Sequence, residues 1–158
     1  MSKTLYIAYG SNLNRAQMAK RCPIAAAVGP GVLEDYELAF RAGGQGVYLT
    51  VERCPGAKTP VGLWELSPQD EASLDEYEGF PWLYYRARLP VSYTHADTGK
   101  ACRAEALVYI MYKKYPLAQP GQAYVEACLR GCEDFGLDTA PMLDAAARAG
   151  EKEEAAHE

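Results

Sequence analysis

The sequence predicts an α+β fold built on a mixed sheet able to close on itself. Roughly six runs rich in β-branched and aromatic residues are spread through the chain, and helical stretches interrupt them unevenly rather than in regular βαβ alternation. The strongest helix-start signal, "SPQDEASLDEYEG", lies mid-chain between strand-like runs. The chain has 158 residues, 49% hydrophobic and 23% charged, which suits one soluble domain with a real core. We find no internal repeat and no long linker, so residues 1–150 are expected to form a single domain, followed by a charged, frayed tail over 151–158.

Each element follows from local chemistry. Residues Thr4 to Tyr9 read as a strand of β-formers. Asn14 to Arg21 follows as a short helix, with Asn12 or Asn14 as its N-cap. "GPG" reads as a turn before a strand from about Val32 to Arg41, in which Tyr36, Leu38 and Phe40 alternate onto one face. "AGGQG" reads as a loop, "VYLTVER" as a strand, "CPGAK" as a turn and "TPVGLWEL" as another strand. In the mid-chain helix Ser67 fits the N-cap, Pro68 the first helical position and Asp70 an acidic third position, and Gly79 stops it. "WLYYRARLPVSYT" and "KACRAEALVYIMY" read as two long strands around the turn "HADTG". "QPGQAYVEACLRGCEDFG" reads as a helix closed by Gly136, and "APMLDAAARAG" as a final short one.

Composition excludes several functions. No window approaches the roughly 20 apolar residues that cross a bilayer. "MSKTLYIAYG" has one lysine and no apolar run leading to a cleavage site, so no secretory signal is expected and the protein is assigned to the cytoplasm. The net charge is -5 with no basic stripe, which argues against nucleic acid as the main partner. Cys22, Cys54, Cys102, Cys128 and Cys132 form no C-x-x-C pair, so zinc is not expected and reduced, partly buried thiols are. His95 and His157 leave little material for a histidine triad or metal site. With no coiled coil or apolar surface stripe evident, a monomer is expected.

Three stretches could carry chemistry. In "AYGSN" a strand ends in Gly and small polar residues just before a helix. Such a segment can point backbone N–H groups at a carboxylate or phosphate. Taken alone it fits a plain turn at least as well, for it lacks the lysine of a phosphate loop and the spacing of a dinucleotide fingerprint. In "LDEYEGFP" Glu78 sits at a helix end among aromatic residues. Desolvation and the helix's negative end would both raise its pKa toward neutrality, where a carboxyl can take and give a proton. The same residues also fit a solvated acidic face. Tyr124, at the start of the late helix, could overhang a cleft or simply pack in the core.

"YGSNL" after an N-terminal strand, "LDEYEG" near mid-chain and a tyrosine-bearing helix ending in "GL" share an order and separation over roughly Leu5 to Leu137. Together they resemble the γ-glutamylcyclotransferase family, which includes the γ-glutamylamine cyclotransferases and the plant avirulence-induced proteins. The loops, and the strands from Leu83 to Tyr112, show no comparable agreement.

The resemblance implies a small β-barrel of mixed strand direction, flanked by helices, with a pocket at one end. It implies release of 5-oxoproline and a free amine from a small-molecule γ-glutamyl substrate, without metal or cofactor. Carried over residue by residue, the family's acid/base glutamate matches Glu78, not Glu76. Its anion loop matches Tyr9, Gly10, Ser11, Asn12 and Leu13, and its pocket tyrosine matches Tyr124. Phe80, Trp82, Tyr84 and Tyr85 could line the leaving-group side, although core packing is the expected fate of at least half of them. A non-catalytic ligand-binding module on the same fold is the alternative. A carboxylate-pair hydrolase using Glu76 and Glu78 is not expected, because positions i and i+2 on a helix point apart.

Overall fold

Strands β1 (Thr4–Ala8), β2 (Ala26–Gly43), β3 (Gly46–Leu66), β4 (Tyr84–Thr94) and β5 (Ala101–Met111) close into a barrel. The order around it is β1-β3-β2-β4-β5. The strands β1 and β5 run parallel, with Tyr6 opposite Leu107, and the other pairs are antiparallel. This is the mixed barrel that the resemblance implies. The computed structural model describes residues 3–157, and the side chains of 3–151. Four α-helices flank the barrel among the described residues: α1 (Arg15–Arg21), α2 (Pro68–Tyr77), α3 (Gln122–Phe135) and α4 (Ala140–His157). None of them is long and apolar enough to cross a membrane.

Helix ends follow local chemistry. Asn14 caps α1, its side chain accepting from the Gln17 N–H at 3.1 Å. At α2 the Asp70 N–H donates to Ser67 Oγ at 3.1 Å and the Ser67 N–H donates back to Asp70 Oδ2 at 3.0 Å. Gly79 (φ 64°) and Gly136 (φ 68°) turn the chain out of α2 and α3 in the left-handed region. The last helix runs on to His157 instead of stopping near Gly150. Residue 158 of the expected tail lies outside the described residues.

Two expected turns are not turns. "GPG" and "CPGAK" both lie inside β2 and β3, which pair along nearly their whole length. The glycines of "GPG" serve close approach instead. A Cβ on Gly31 would stand 2.7 Å from the Ser92 carbonyl, and one on Gly29 would stand 2.0 Å from that of Thr94. Their bare backbones let β4 pair with β2 and close the barrel. "CPGAK" faces a register shift between Glu34 and Tyr36. There Asp35 takes φ 67° and its side chain accepts from the Gly56 N–H at 2.9 Å, so a bulge replaces the turn.

Fully buried Ile7, Phe40, Leu49, Leu63 and Tyr109 belong to the core cluster. The functional end of the fold is set by small residues. After β1, Tyr9 and Gly10 lead into a 3-10 turn over Ser11–Leu13. A Cβ on Gly62 would lie 2.6 Å from Leu13 Cδ2, and one on Gly131 would lie 2.5 Å from Leu13 Cβ. These two glycines let β3 and α3 grip Leu13 from both sides and fix the turn.

Candidate active site

A cavity of about 220 Å³ opens where β1 ends. Its wall includes Tyr9, Gly10, Ser11, Asn12, Glu78 and Tyr124, so six of the seven site residues expected from sequence share one space. Leu13 is the exception. Its side chain is fully buried, and its N–H donates to the Gly10 carbonyl at 3.0 Å. It anchors the turn and offers the cavity nothing.

Glu78 is the C-cap residue of α2, and Gly79 carries the chain away immediately after it. Its Oε1 accepts from Asn12 Nδ2 at 3.2 Å, and the same amide donates to the Tyr6 hydroxyl at 2.8 Å. Burial pushes the Glu78 carboxyl from 4.5 up to about 7. The positive charge of Arg21 opposes that rise, and so does the hydrogen bond from Asn12. Burial also holds the hydroxyls of Tyr6, Tyr9, Tyr84 and Tyr124 well above their usual range, and the charge on Glu78 adds to the rise in each. These phenols therefore stay neutral near pH 7 and keep their protons.

The tyrosines are held by backbone groups. Tyr9 donates to the Tyr109 carbonyl at 2.6 Å and Tyr84 to the Leu49 carbonyl at 2.7 Å. Tyr124 accepts from the Leu49 N–H at 3.1 Å, and its ring meets those of Tyr48 and Phe40 edge-on. A Cβ on Gly10 would stand 3.3 Å from the Tyr124 hydroxyl, a tight contact that the bare backbone avoids. Among the described residues, no group accepts from the N–H of Gly10, Ser11 or Asn12, all three of which line the cavity.

Several wall residues escaped sequence reading. Tyr6 and Tyr109 carry no local mark; they meet edge-on at 6.0 Å because β1 and β5 pair. Gln45 comes from the β2–β3 turn, Tyr48 from the start of β3 and Leu83 from the segment before β4. Arg21 lies behind the wall with its guanidinium on the Tyr77 ring at 3.9 Å. The aromatic run after Glu78 departs from expectation. Tyr84 is buried in the cavity wall, but Phe80, Tyr85 and Trp82 are exposed, Trp82 at 80%, so most of the run is not core. Glu76 does not line the cavity. The free thiols Cys22, Cys128 and Cys132 are buried and do not line the cavity. Among the described residues, no group of three or more His, Cys, Asp or Glu side chains is placed to hold a metal ion.

Comparison with known proteins bears on the fold and the family. The family model described as "Gamma-glutamyl cyclotransferase, AIG2-like" matches residues 6–137. Over 141 residues, the chain is 30% identical to a human gamma-glutamylcyclotransferase and 29% identical to the mouse protein of that name. Each alignment covers 84% of this chain and 72% of the relative. A solved structure named gamma-glutamyl cyclotransferase superposes with a TM-score of 0.75 at 26% identity, covering 94% of this chain and 87% of the other.

Proposed function

From a chain that belongs to the gamma-glutamyl cyclotransferase, AIG2-like family, we propose release of 5-oxoproline and a free amine from a small γ-glutamyl compound, with Glu78 as the proton shuttle. The observation that carries this reading is the Glu78 carboxyl, raised to about 7 inside a cavity walled by neutral phenols. A group with a pKa near the working pH is both an adequate base and an adequate acid.

The reaction is an internal aminolysis. Glu78 as carboxylate takes a proton from the substrate's α-ammonium. The freed nitrogen attacks the γ-carbonyl carbon, forming the ring C–N bond and placing charge on the carbonyl oxygen. As the tetrahedral centre collapses, the bond to the leaving nitrogen breaks and Glu78 returns its proton to that nitrogen. The carboxylate so regenerated takes the second proton from the ring nitrogen and passes it to the freed amine, leaving a neutral lactam and an ammonium. The nucleophile comes from the substrate, so the protein supplies geometry and protons. Folding the glutamyl chain into reach can supply up to roughly 7–11 kcal/mol of the barrier reduction.

Anchoring is assigned to the turn after β1. The N–H groups of Gly10, Ser11 and Asn12 are suited to the α-carboxylate or the developing oxyanion. Leu13 is left out of this set because its N–H is already committed to Gly10. The leaving amine is assigned to the more exposed side of the cavity, lined by Gln45, Tyr48, Leu83 and Tyr77. The protein is taken to work as a cytoplasmic monomer.

The test is 5-oxoproline release from a panel of γ-glutamyl amino acids and amines, comparing wild type with Glu78→Gln and Glu76→Gln. General acid–base help is worth about 10²–10⁴-fold, so Glu78→Gln should lose at least that much, while Glu76→Gln stays near wild type. A folded Glu78→Gln variant that turns over at the wild-type rate would sink the mechanism. Binding of γ-glutamyl compounds by the wild type without release would leave only a ligand-binding module.

A further inference from the structure

Arg21 reaches the site from the last turn of α1 without lining the cavity. Its Nη1 donates to Asn12 Oδ1 at 2.6 Å and to Ser11 Oγ at 3.3 Å, and its Nη2 donates to Gln17 Oε1 at 2.7 Å. A planar fork bound to three partners has little freedom to rotate. Tyr77 restrains it further, the ring stacking at 3.9 Å. An amide offers one oxygen and one NH₂ group. With Asn12 Oδ1 taken by Arg21, the NH₂ must face the other way, and it donates there to Glu78 Oε1 and the Tyr6 hydroxyl. The reversed amide would set an oxygen against the carboxylate and an NH₂ against a guanidinium, an arrangement of like against like.

We propose that Arg21 is a positioning residue: by gripping the carbonyl oxygen of Asn12, it aims the Asn12 NH₂ at Glu78 and steadies the carboxylate that moves the proton. The inference rests on the reading of Glu78 as the shuttle. The groups that act on Glu78 are Asn12 and Arg21, and its charge is felt by Tyr6, Tyr9, Tyr84 and Tyr124. The phenols are neutral near pH 7, so Arg21 is the one cation in this set. Its charge works in the same direction as its grip, favouring the carboxylate form.

Two measurements on wild type, Arg21→Met and Arg21→Lys test this. The first is a ¹³C titration of the Glu78 carboxyl, identified by its loss in Glu78→Gln, which needs no turnover. Arg21→Met should titrate at higher pH than wild type, and Arg21→Lys close to it, because lysine keeps the charge. The second is the pH profile of kcat/KM for 5-oxoproline release. Arg21→Met should lose about 10–100-fold, the value of a charge-assisted hydrogen bond, with its acid limb moved to higher pH. Arg21→Lys should keep the wild-type acid limb yet recover only part of the rate, since an ammonium cannot fork. Arg21→Gln stands in if the Met variant does not fold. An unmoved Glu78 titration in the uncharged variant overturns the proposal, and so does a full wild-type rate in Arg21→Lys. If the wild type releases no 5-oxoproline from any compound, the functional reading fails on its own, and the titration still decides the role of Arg21.

Discussion

Replacing Glu78 by Gln should make this protein more stable in neutral and alkaline solution while removing its turnover. The folded protein holds the Glu78 carboxyl at about 7 against an ordinary 4.5. Below pH 4.5 both folded and unfolded chains carry the proton, and the site costs nothing. Between 4.5 and 7 the unfolded chain releases the proton while the folded chain retains it. The folded state then binds more protons, so stability falls as pH rises. Above 7 the full cost is present. At roughly 1.4 kcal/mol per pH unit it comes to about 3 kcal/mol. Glutamine keeps the shape, can still accept from Asn12, and never ionises.

The assay is thermal or urea unfolding of both proteins from pH 4 to pH 8.5. The difference should be near zero at the acid end and grow through the window from 4.5 to 7. It should level off with Glu78→Gln ahead by about 3 kcal/mol, roughly 6–12 °C in Tm for a chain of this size. A difference that does not change with pH would refute the reasoning, for the carboxyl would then have the same proton affinity folded and unfolded. A wild type that gained on the variant between pH 5 and pH 8 would reverse the sign outright.

Other perturbations probe the frame around Glu78. Gly131→Ala places a Cβ 2.5 Å from Leu13 Cβ and 2.6 Å from the Asn14 N, so the turn must move. It should cost about 1–3 kcal/mol in urea unfolding and lower kcat/KM for 5-oxoproline release. Tyr124→Phe removes the acceptor of the Leu49 N–H. It should cost about 1–3 kcal/mol of stability, with faster hydrogen exchange at the Leu49 amide as the direct reading.

What could be read from sequence was local. The Ser67–Asp70 cap, the Asn14 cap and the glycine stops at 79 and 136 each depend on chemistry within a few residues, and each stands where expected. The misreadings at "GPG" and "CPGAK" have a non-local cause. At "GPG" the glycines mark a place where another strand comes close, which only the β2–β4 contact reveals, and at "CPGAK" the pairing of β3 with β2 across a bulge replaces the turn. Leu13 was grouped with its neighbours in "YGSNL", yet Gly62 and Gly131, far along the chain, decide that it points into the core. Arg21 reads as an ordinary basic helix end, because its partners Tyr77 and Asn12 come together only after folding.

The position of Glu78 makes sense as a balance between opposing effects. Burial alone would favour the protonated form, which is a poor base for an α-ammonium. Arg21 and the Asn12 amide alone would favour the ionised form, which is a poor acid for the leaving nitrogen. The first effect comes from closing the barrel, whose strands bring Tyr6, Tyr9 and Tyr84 around the carboxyl. The second comes from a short helix and a turn outside the barrel, held by two glycines. Because the effects arise from separate elements, each can change without dismantling the other. An uncharged residue at Arg21 should make Glu78 a weaker acid and a better-retained proton site. Polar substitutions at the barrel end should do the opposite. A pH profile whose limbs move in opposite directions for these two kinds of change is the signature of that arrangement.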